Sequence, residues 1–443
     1  MKKMIYKSLS IVTLATMIFS CKPTIDVQAP SKGTLDVKKY VAVGNSYTSG
    51  YADNALYNSG QLVSYPNLIA QQLKLVGGGD FKQPLVSDVS VGIGAYMNAR
   101  YVLAPTKDCQ GVTSLAPVPV AQQGDLTIWG TSVAAQGPFN NMGVPGAKAI
   151  YTVYPGYGDP SKPAGQFNPY FTRMTTDPAN ASILTDAMAQ NPTFFSLAVG
   201  DDDALAFAIA GGASETITPS SAFNASIDAI VGGLTSNGAK GVVANIPSIS
   251  NLPYFTTIPY NGLLLDKANA DALTAAYTPL GMTFSPGANP FVIEDAAAPG
   301  QMRQIQQGEM ILLSVPQDSL KCAGWGSMKP IPNQYVLTAN EITQINNAIA
   351  AFNTKLKDAA TAKGLAFVNI DAFFSTIKQG IIYNGIGMNA QFVQGGAFSL
   401  DGLHLTPLGN ALMANEYIKA INQTYGSTIP QLDTTKYKGV VFP

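Results

Sequence analysis

Tyr40-Val41-Ala42-Val43-Gly44-Asn45-Ser46-Tyr47-Thr48-Ser49-Gly50 is the stretch from which the fold is read. Four apolar residues, Tyr40 to Val43, stop abruptly at Gly44, as in a short strand covered on both faces that runs into a turn. Three other runs have the same form: Phe194 to Val199 ending at Gly200, Gly241 to Ile246 ending at Pro247, and Leu365 to Ile370. Between them the apolar period becomes helical. Ser64 to Leu75 places Leu68, Ile69, Ala70 and Leu73 on one side. Thr338 with Glu341 reads as a capping box, and Ile342, Ile345, Ile349, Phe352 and Leu356 follow at spacings of three and four. A last helix starts after Thr406 with Pro407 in its first turn. Strands alternating with helices predict an α/β fold with a parallel sheet and right-handed crossovers.

Two segments break the alternation. Residues 77–140 are rich in Gly and Pro with no clear period, and residues 253–335 form a second interruption. In the latter, Phe291 to Glu294 and Glu309 to Val315 are expected to make a hairpin or an edge addition. No repeat or linker divides the chain, and its motifs run from position 44 to 409, so residues 38–443 are expected to form one domain. Residues 1–20 read as an export signal, with Lys2, Lys3 and Lys7 ahead of a short apolar run from Ser8 to Phe19. Ile18-Phe19-Ser20-Cys21 resembles a bacterial lipobox, which implies lipid attachment at Cys21 and a tether over residues 21–37. Lys22 rather than Asp follows, so the expected location is the cell envelope, as an outer-membrane lipoprotein held to the membrane through its lipid.

Composition excludes several classes. Hydrophobic residues are 46% of the 443, enough for a sizeable core without a disulfide scaffold. Lys and Arg number 26 against 27 Asp and Glu, so no basic surface recommends a nucleic-acid partner. The chain has one histidine, His404, which rules out His-His metal pairs and HExxH sites. There is no CxxC, GxSxG, Walker A or GxGxxG motif, and neither a metal nor an organic cofactor is expected. Cys109 and Cys322 remain besides Cys21; an exported compartment permits a disulfide between them, and two free thiols fit equally well.

Ligands of open α/β sheets bind at the carboxyl ends of the strands. The segments found there are Gly44 to Gly50, Gly200-Asp201-Asp202-Asp203 and, before the last helix, Asp401-Gly402-Leu403-His404. A serine hydroxyl needs a base to become a nucleophile, and His404 is the one imidazole available. Asp401, three residues earlier, is placed to orient that ring. Gly146 has no Cβ to keep its backbone N–H from a developing oxyanion. Each residue also has a plain structural use: Ser46 as a helix cap, Asp401 and Gly146 as turn residues.

Taken in order, these blocks resemble the SGNH (GDSL) hydrolases. Gly44 to Gly50 resembles the nucleophile block, and Asn141 to Ala147 the block whose later glycine, Gly146, supplies a backbone donor. Gly200 to Asp203 resembles the GxND block, and Asp401 with His404 the DxxH block, followed by Gly409. The resemblance implies a three-layer α/β/α sandwich on a flavodoxin-like parallel sheet. It further implies a Ser46–His404–Asp401 triad, an oxyanion hole from Ser46, Gly146 and Asp202, and hydrolysis of acyl or acetyl esters of lipid or carbohydrate. Two positions depart from the pattern. Asp202 stands where the family has an amide donor, and Asn45 where it has an aspartate. Three resolutions follow: a protonated Asp202 that donates, an amide from Asn45 or Asn245, or a weak or inactive protein. The last would be a surface lipoprotein that binds glycan or lipid on a hydrolase scaffold.

Overall fold

Five parallel strands form the central sheet of the computed structural model, which describes residues 29–443 apart from Asn384. They are β1 (Tyr40–Gly44), β2 (Asn141–Gly143), β3 (Phe194–Ala198), β4 (Lys240–Ala244) and β5 (Ala366–Val368). Four coincide with the apolar runs. Every residue of β1 and β3 is buried, which is why these strands read as unbroken hydrophobic runs. Their order across the sheet is β2-β1-β3-β4-β5, all parallel. That is the flavodoxin-like order, whose direction of winding reverses between β1 and β3.

Helices cover both faces. α1 (Ser46–Ser49) follows β1 directly, α2 (Tyr65–Lys74) comes after a short helix at Asn58–Leu62, and α3 (Asp201–Ile209) follows β3. The larger helices are α4 (Ser220–Thr235), α5 (Ala339–Ala362), α6 (Ile370–Gln379) and α7 (Pro407–Tyr425). α4 packs with α5, α2 packs with α7, and β4 and β5 are touched by both α5 and α7, giving the three-layer α/β/α sandwich. The capping box of α5 is formed: the Thr338 hydroxyl accepts from Glu341 N, and Glu341 accepts from Thr338 N. Among the described residues no helix is long and apolar enough to cross a membrane.

The 77–140 and 253–335 segments place no strand in this sheet. The first holds a hairpin, Tyr101–Lys107 paired with Thr113–Pro119. The second departs from expectation, because its two apolar stretches do not pair with each other. Val292–Glu294 pairs with Met302–Gln304, and Met310–Ile311 pairs with Val336–Leu337. Arg303 explains the early return of the chain. Its guanidinium holds Asp295 at 2.6 Å and both Glu309 oxygens at 2.7 Å. Glu309 also accepts from Ala339 N at 3.1 Å, seating the segment on the first turn of α5. Cys109 and Cys322 are disulfide-bonded, with Cα atoms 6.4 Å apart, so the hairpin tip is tied to the end of the Gln317–Lys321 helix.

The signal segment 1–20, Cys21 and the start of the 21–37 tether lie outside the described residues. The described part of that tether requires a correction. Leu35 and Val37 are buried in the core, and Ser31 O and Thr34 N are bonded to Thr428 N and Tyr425 O at the end of α7. Two apolar side chains that can be buried hold this stretch down despite its polar neighbours.

Candidate active site

The winding reversal between β1 and β3 gathers the motifs. Gly44 is in register with Gly143 on one side and Ala198 on the other, so the three loops that follow leave the same sheet edge together. Asn45 caps α1, its Oδ1 accepting from Tyr47 N at 3.2 Å. The capping role open to Ser46 is thus taken, and Ser46, half-buried, becomes the first helical residue. Gly143 fits because a Cβ there would collide with the Thr48–Ser49 backbone. Gly146 differs: its φ is +77° and a Cβ would point into open space. Among the described residues, neither Ser46 N–H nor Gly146 N–H has a hydrogen-bond acceptor.

Ser46, His404 and Asp401 come together. His404 Nε2 lies 2.9 Å from Ser46 Oγ, and His404 Nδ1 lies 2.9 Å from Asp401 Oδ2. Asp401 is held by four further donors. Its Oδ1 accepts from Ser399 Oγ at 2.9 Å, Leu403 N at 2.9 Å and His404 N at 2.8 Å, and its Oδ2 from Asn54 N at 3.0 Å. Burial alone would raise this carboxyl, but the nearby His404 charge and these hydrogen bonds hold it well below the usual carboxylate range. With Asp401 an acceptor, Nδ1 carries the ring proton and Nε2 is left to accept from Ser46. Tyr47 and Tyr51 flank the imidazole, with ring centroids 5.2 and 4.8 Å away. Ser399, Asn54 and Tyr51 were not singled out from sequence. Ser399 has a local signal, two positions before Asp401; Asn54 and Tyr51 reach the site through folding.

Asn45 and Asn245 do not supply an amide. Asn45 Nδ2 donates to Asp201 Oδ2 at 2.7 Å and is fully buried. Asn245 Nδ2 donates to Asn369 Oδ1 at 2.8 Å. Asp202, Asp201 and Asp203 crowd the first turn of α3. Burial, then the charges of Asp201 and Asp203, push Asp202 up to about 7; His404 and Lys148 pull the other way. Burial also pushes Asp201 and Asp203 up to about 6. Asp202 Oδ2 is out of solvent contact and has no partner among the described residues. A neutral carboxyl there carries a proton it can donate. Among the described residues no three His, Cys, Asp or Glu side chains are grouped as metal ligands.

No protein-family model matches the chain, and no curated protein matches its sequence. Among solved structures it is similar to one described as a GDSL-like lipase from Parabacteroides merdae. The identity is 12% and the TM-score 0.34, with 89% of this chain and 99% of that chain covered. It is also similar to an extracellular lipase from Streptomyces rimosus, at 12% identity and a TM-score of 0.34, covering 87% of this chain and 98% of that one. Neither likeness carries any part of the chemistry described above.

Proposed function

We propose that the protein is a serine esterase of the SGNH (GDSL) type, exported and anchored to the cell envelope through lipid on Cys21. The observation that carries the enzymatic reading is the continuous link Ser46 Oγ–His404–Asp401, 2.9 Å at each step. Ser46 Oγ attacks the ester carbonyl carbon while His404 Nε2 takes its proton. The Ser46 and Gly146 N–H groups, with the neutral acid of Asp202, stabilise the oxyanion. Collapse breaks the bond to the alcohol, and His404 returns the proton to the departing alkoxide. Water, deprotonated by His404, then attacks the acyl-Ser46 carbonyl; collapse breaks the bond to Ser46 Oγ, which takes the proton back from His404, and a carboxylic acid leaves. Asp401 fixes the tautomer and balances the imidazolium throughout.

A fluorophosphonate probe tests this reading together with hydrolysis of p-nitrophenyl acetate. Labelling and hydrolysis that both vanish in Ser46→Ala support it. A folded wild-type protein that neither labels nor hydrolyses overturns it in favour of a binding lipoprotein on a hydrolase scaffold.

A further inference from the structure

Ala52 and Ala55 exchange backbone hydrogen bonds at 3.1 and 3.0 Å, which leaves Asp53 and Asn54 as the two central residues of a tight hairpin turn. Both sit at positive φ, +50° and +64°, as a type I′ turn requires. Asp and Asn are the residues other than glycine that take this conformation most readily, so the pair Asp53-Asn54 builds the turn locally. The closing bonds belong to Ala52 and Ala55, and the polar groups of the two central residues are left to reach other segments.

Both N–H groups go to the segment that carries the triad acid. Asp53 N donates to Ser399 Oγ at 3.0 Å, and Asn54 N donates to Asp401 Oδ2 at 3.0 Å. Both carbonyls are held by residues outside that segment. Asp53 O accepts from Tyr101 N at 2.8 Å, and Asn54 O accepts from the Tyr51 hydroxyl at 2.8 Å and from Asn98 Nδ2 at 2.9 Å. The turn is therefore fixed on one side and grips Asp401 and its neighbour on the other.

The Asp53 carboxylate adds a further hold. Its Oδ1 accepts from Leu400 N at 3.0 Å, and its Oδ2 accepts from the Tyr57 hydroxyl at 2.6 Å. Ser399 and Leu400 are buried, so water does not replace these bonds without cost. The direction of donation matters at Ser399. Its hydroxyl accepts from Asp53 N and has one proton, which goes to Asp401 Oδ1 at 2.9 Å. Asp53 thus fixes residue 399 through its backbone and residue 400 through its side chain, and Asp401 follows next in the chain. The Asp401 carboxylate in turn meets His404 Nδ1 at 2.9 Å, so a shift at Asp53 passes to the base that faces Ser46.

We propose that Asp53 is a positioning residue for the Ser46–His404–Asp401 site: through Ser399 and Leu400 it sets where the Asp401 carboxylate stands, and it acts on the reaction only through them. The proposal rests on the esterase reading of that site.

The test uses the single histidine. Isotope labelling of histidine nitrogen gives NMR signals from one imidazole, and in the wild type its Nδ1 proton, held by Asp401, should exchange slowly with water. Asp53→Gly suits the positive φ and keeps the backbone N–H but removes the carboxylate. Asp53→Asn keeps an acceptor for Leu400 N. Asp53→Gly should speed exchange of the Nδ1 proton and lower kcat on p-nitrophenyl acetate about tenfold to a hundredfold, with KM changed less than about twofold. Asp53→Asn should return both readouts most of the way to wild type. Added to Asp401→Asn, Asp53→Gly should cost less than about twofold in kcat, because the group it positions is gone. Fully additive losses would make Asp53 a merely stabilising residue and overturn the proposal. A folded Asp53→Gly with wild-type proton exchange, or a wild-type Nδ1 proton that exchanges as in free histidine, overturns it too. If Asp53→Gly does not fold, Ser399→Ala cuts the same link, and wild-type exchange and kcat in that variant count against the proposal in the same way. A proton lost in Asp53→Gly and kept in Asp53→Asn, in a protein that hydrolyses no ester, upholds the positioning and sinks the esterase reading alone.

Discussion

Asn45 gives its side-chain amide to Asp201 at 2.7 Å, away from the cleft. The amide expected of the oxyanion hole and the carboxylate expected beside the nucleophile have therefore exchanged places without meeting the same partners. Asn45 keeps one oxygen of Asp201 satisfied, and on the proposed reading Asp202 is the acidic side chain that meets the oxyanion. Its protonation decides whether it helps or repels.

The first prediction concerns Asp202→Asn. Burial and the neighbouring aspartates push Asp202 up to about 7, so on the proposed reading wild-type turnover should fall as pH rises through that value, because an ionised carboxylate would repel the oxyanion. The amide of Asp202→Asn does not titrate, so this alkaline fall should disappear. At pH 8, where about a tenth of the wild-type carboxyls keep their proton, the variant should be faster by up to about tenfold. Identical kcat–pH profiles would remove Asp202 from the oxyanion hole.

Stability should follow the same group. Below about pH 4 Asp202 is protonated in both the folded and the unfolded chain and contributes no difference. As pH rises to about 7, the unfolded chain releases a proton that the folded chain keeps, and stability is lost. Asp202→Asn should therefore be more stable at pH 8, on the order of 2 kcal/mol, with the gain vanishing near pH 4. Urea titrations at the two pH values check both the sign and the window.

Asp401 carries the opposite sign. Its folded value lies below the unfolded one, so its stabilisation is present above about pH 4 and fades as the pH falls below that. Asp401→Asn should flatten this acid loss. It should also lower kcat about 10³- to 10⁴-fold, because an amide facing Nδ1 selects the wrong tautomer. Unchanged kcat in a folded variant would show that the Asp401–His404 bond does not orient the base.

Two glycines of one loop should behave differently. Gly143→Ala drives a methyl into the Thr48–Ser49 backbone and should displace α1 or prevent folding. Gly146→Ala points its methyl into open space and meets only the cost of φ +77°, about 1–2 kcal/mol. It should fold, with most of its loss appearing in turnover. Far-UV circular dichroism and thermal melts, read beside kcat, separate the two outcomes.

The disulfide should matter for the accessory segments. Cys109 and Cys322 are 213 residues apart and join two segments that each touch the triad's support: Tyr101 N binds Asp53 O, and Tyr254 N binds Gly402 O. Removing the bond by Cys109→Ser with Cys322→Ser should lower stability by about 2–4 kcal/mol. New proteolytic cuts should fall within 77–140 or 253–335. Cuts elsewhere, or none, would show that hydrogen bonds and packing suffice to hold the two segments.

Residues covered on both faces were legible in the sequence, because burial leaves an unbroken apolar run. Residues 40–44, 194–198, 241–244 and 366–368 are of this kind. β2 was recognised only as a motif, since Asn141-Met142-Gly143 is too short to show a run. The 101–119 hairpin was hidden by Pro105, Pro117 and Pro119, which a two-stranded ribbon tolerates along its outer edges. His404 was legible from residue type, since one histidine leaves no rival base, whereas Ser46 and Asp401 were picked out by the motif blocks they stand in. The pairing of Cys109 with Cys322 was not, because spacing carries no information about which chain segments meet. Nor was the destination of the Asn45 amide, which depends on how α3 leaves β3.

The incoming chain at Ser31 and Thr34 rests on the end of α7, where the Tyr425 hydroxyl reaches Gly241 and Ala366 near the amino ends of β4 and β5. Ser46 lies past the carboxyl end of β1, at the opposite pole of the sheet, about 17 Å away along a five-residue strand. On the proposed reading, the chain coming from Cys21 therefore joins the body at the pole away from Ser46.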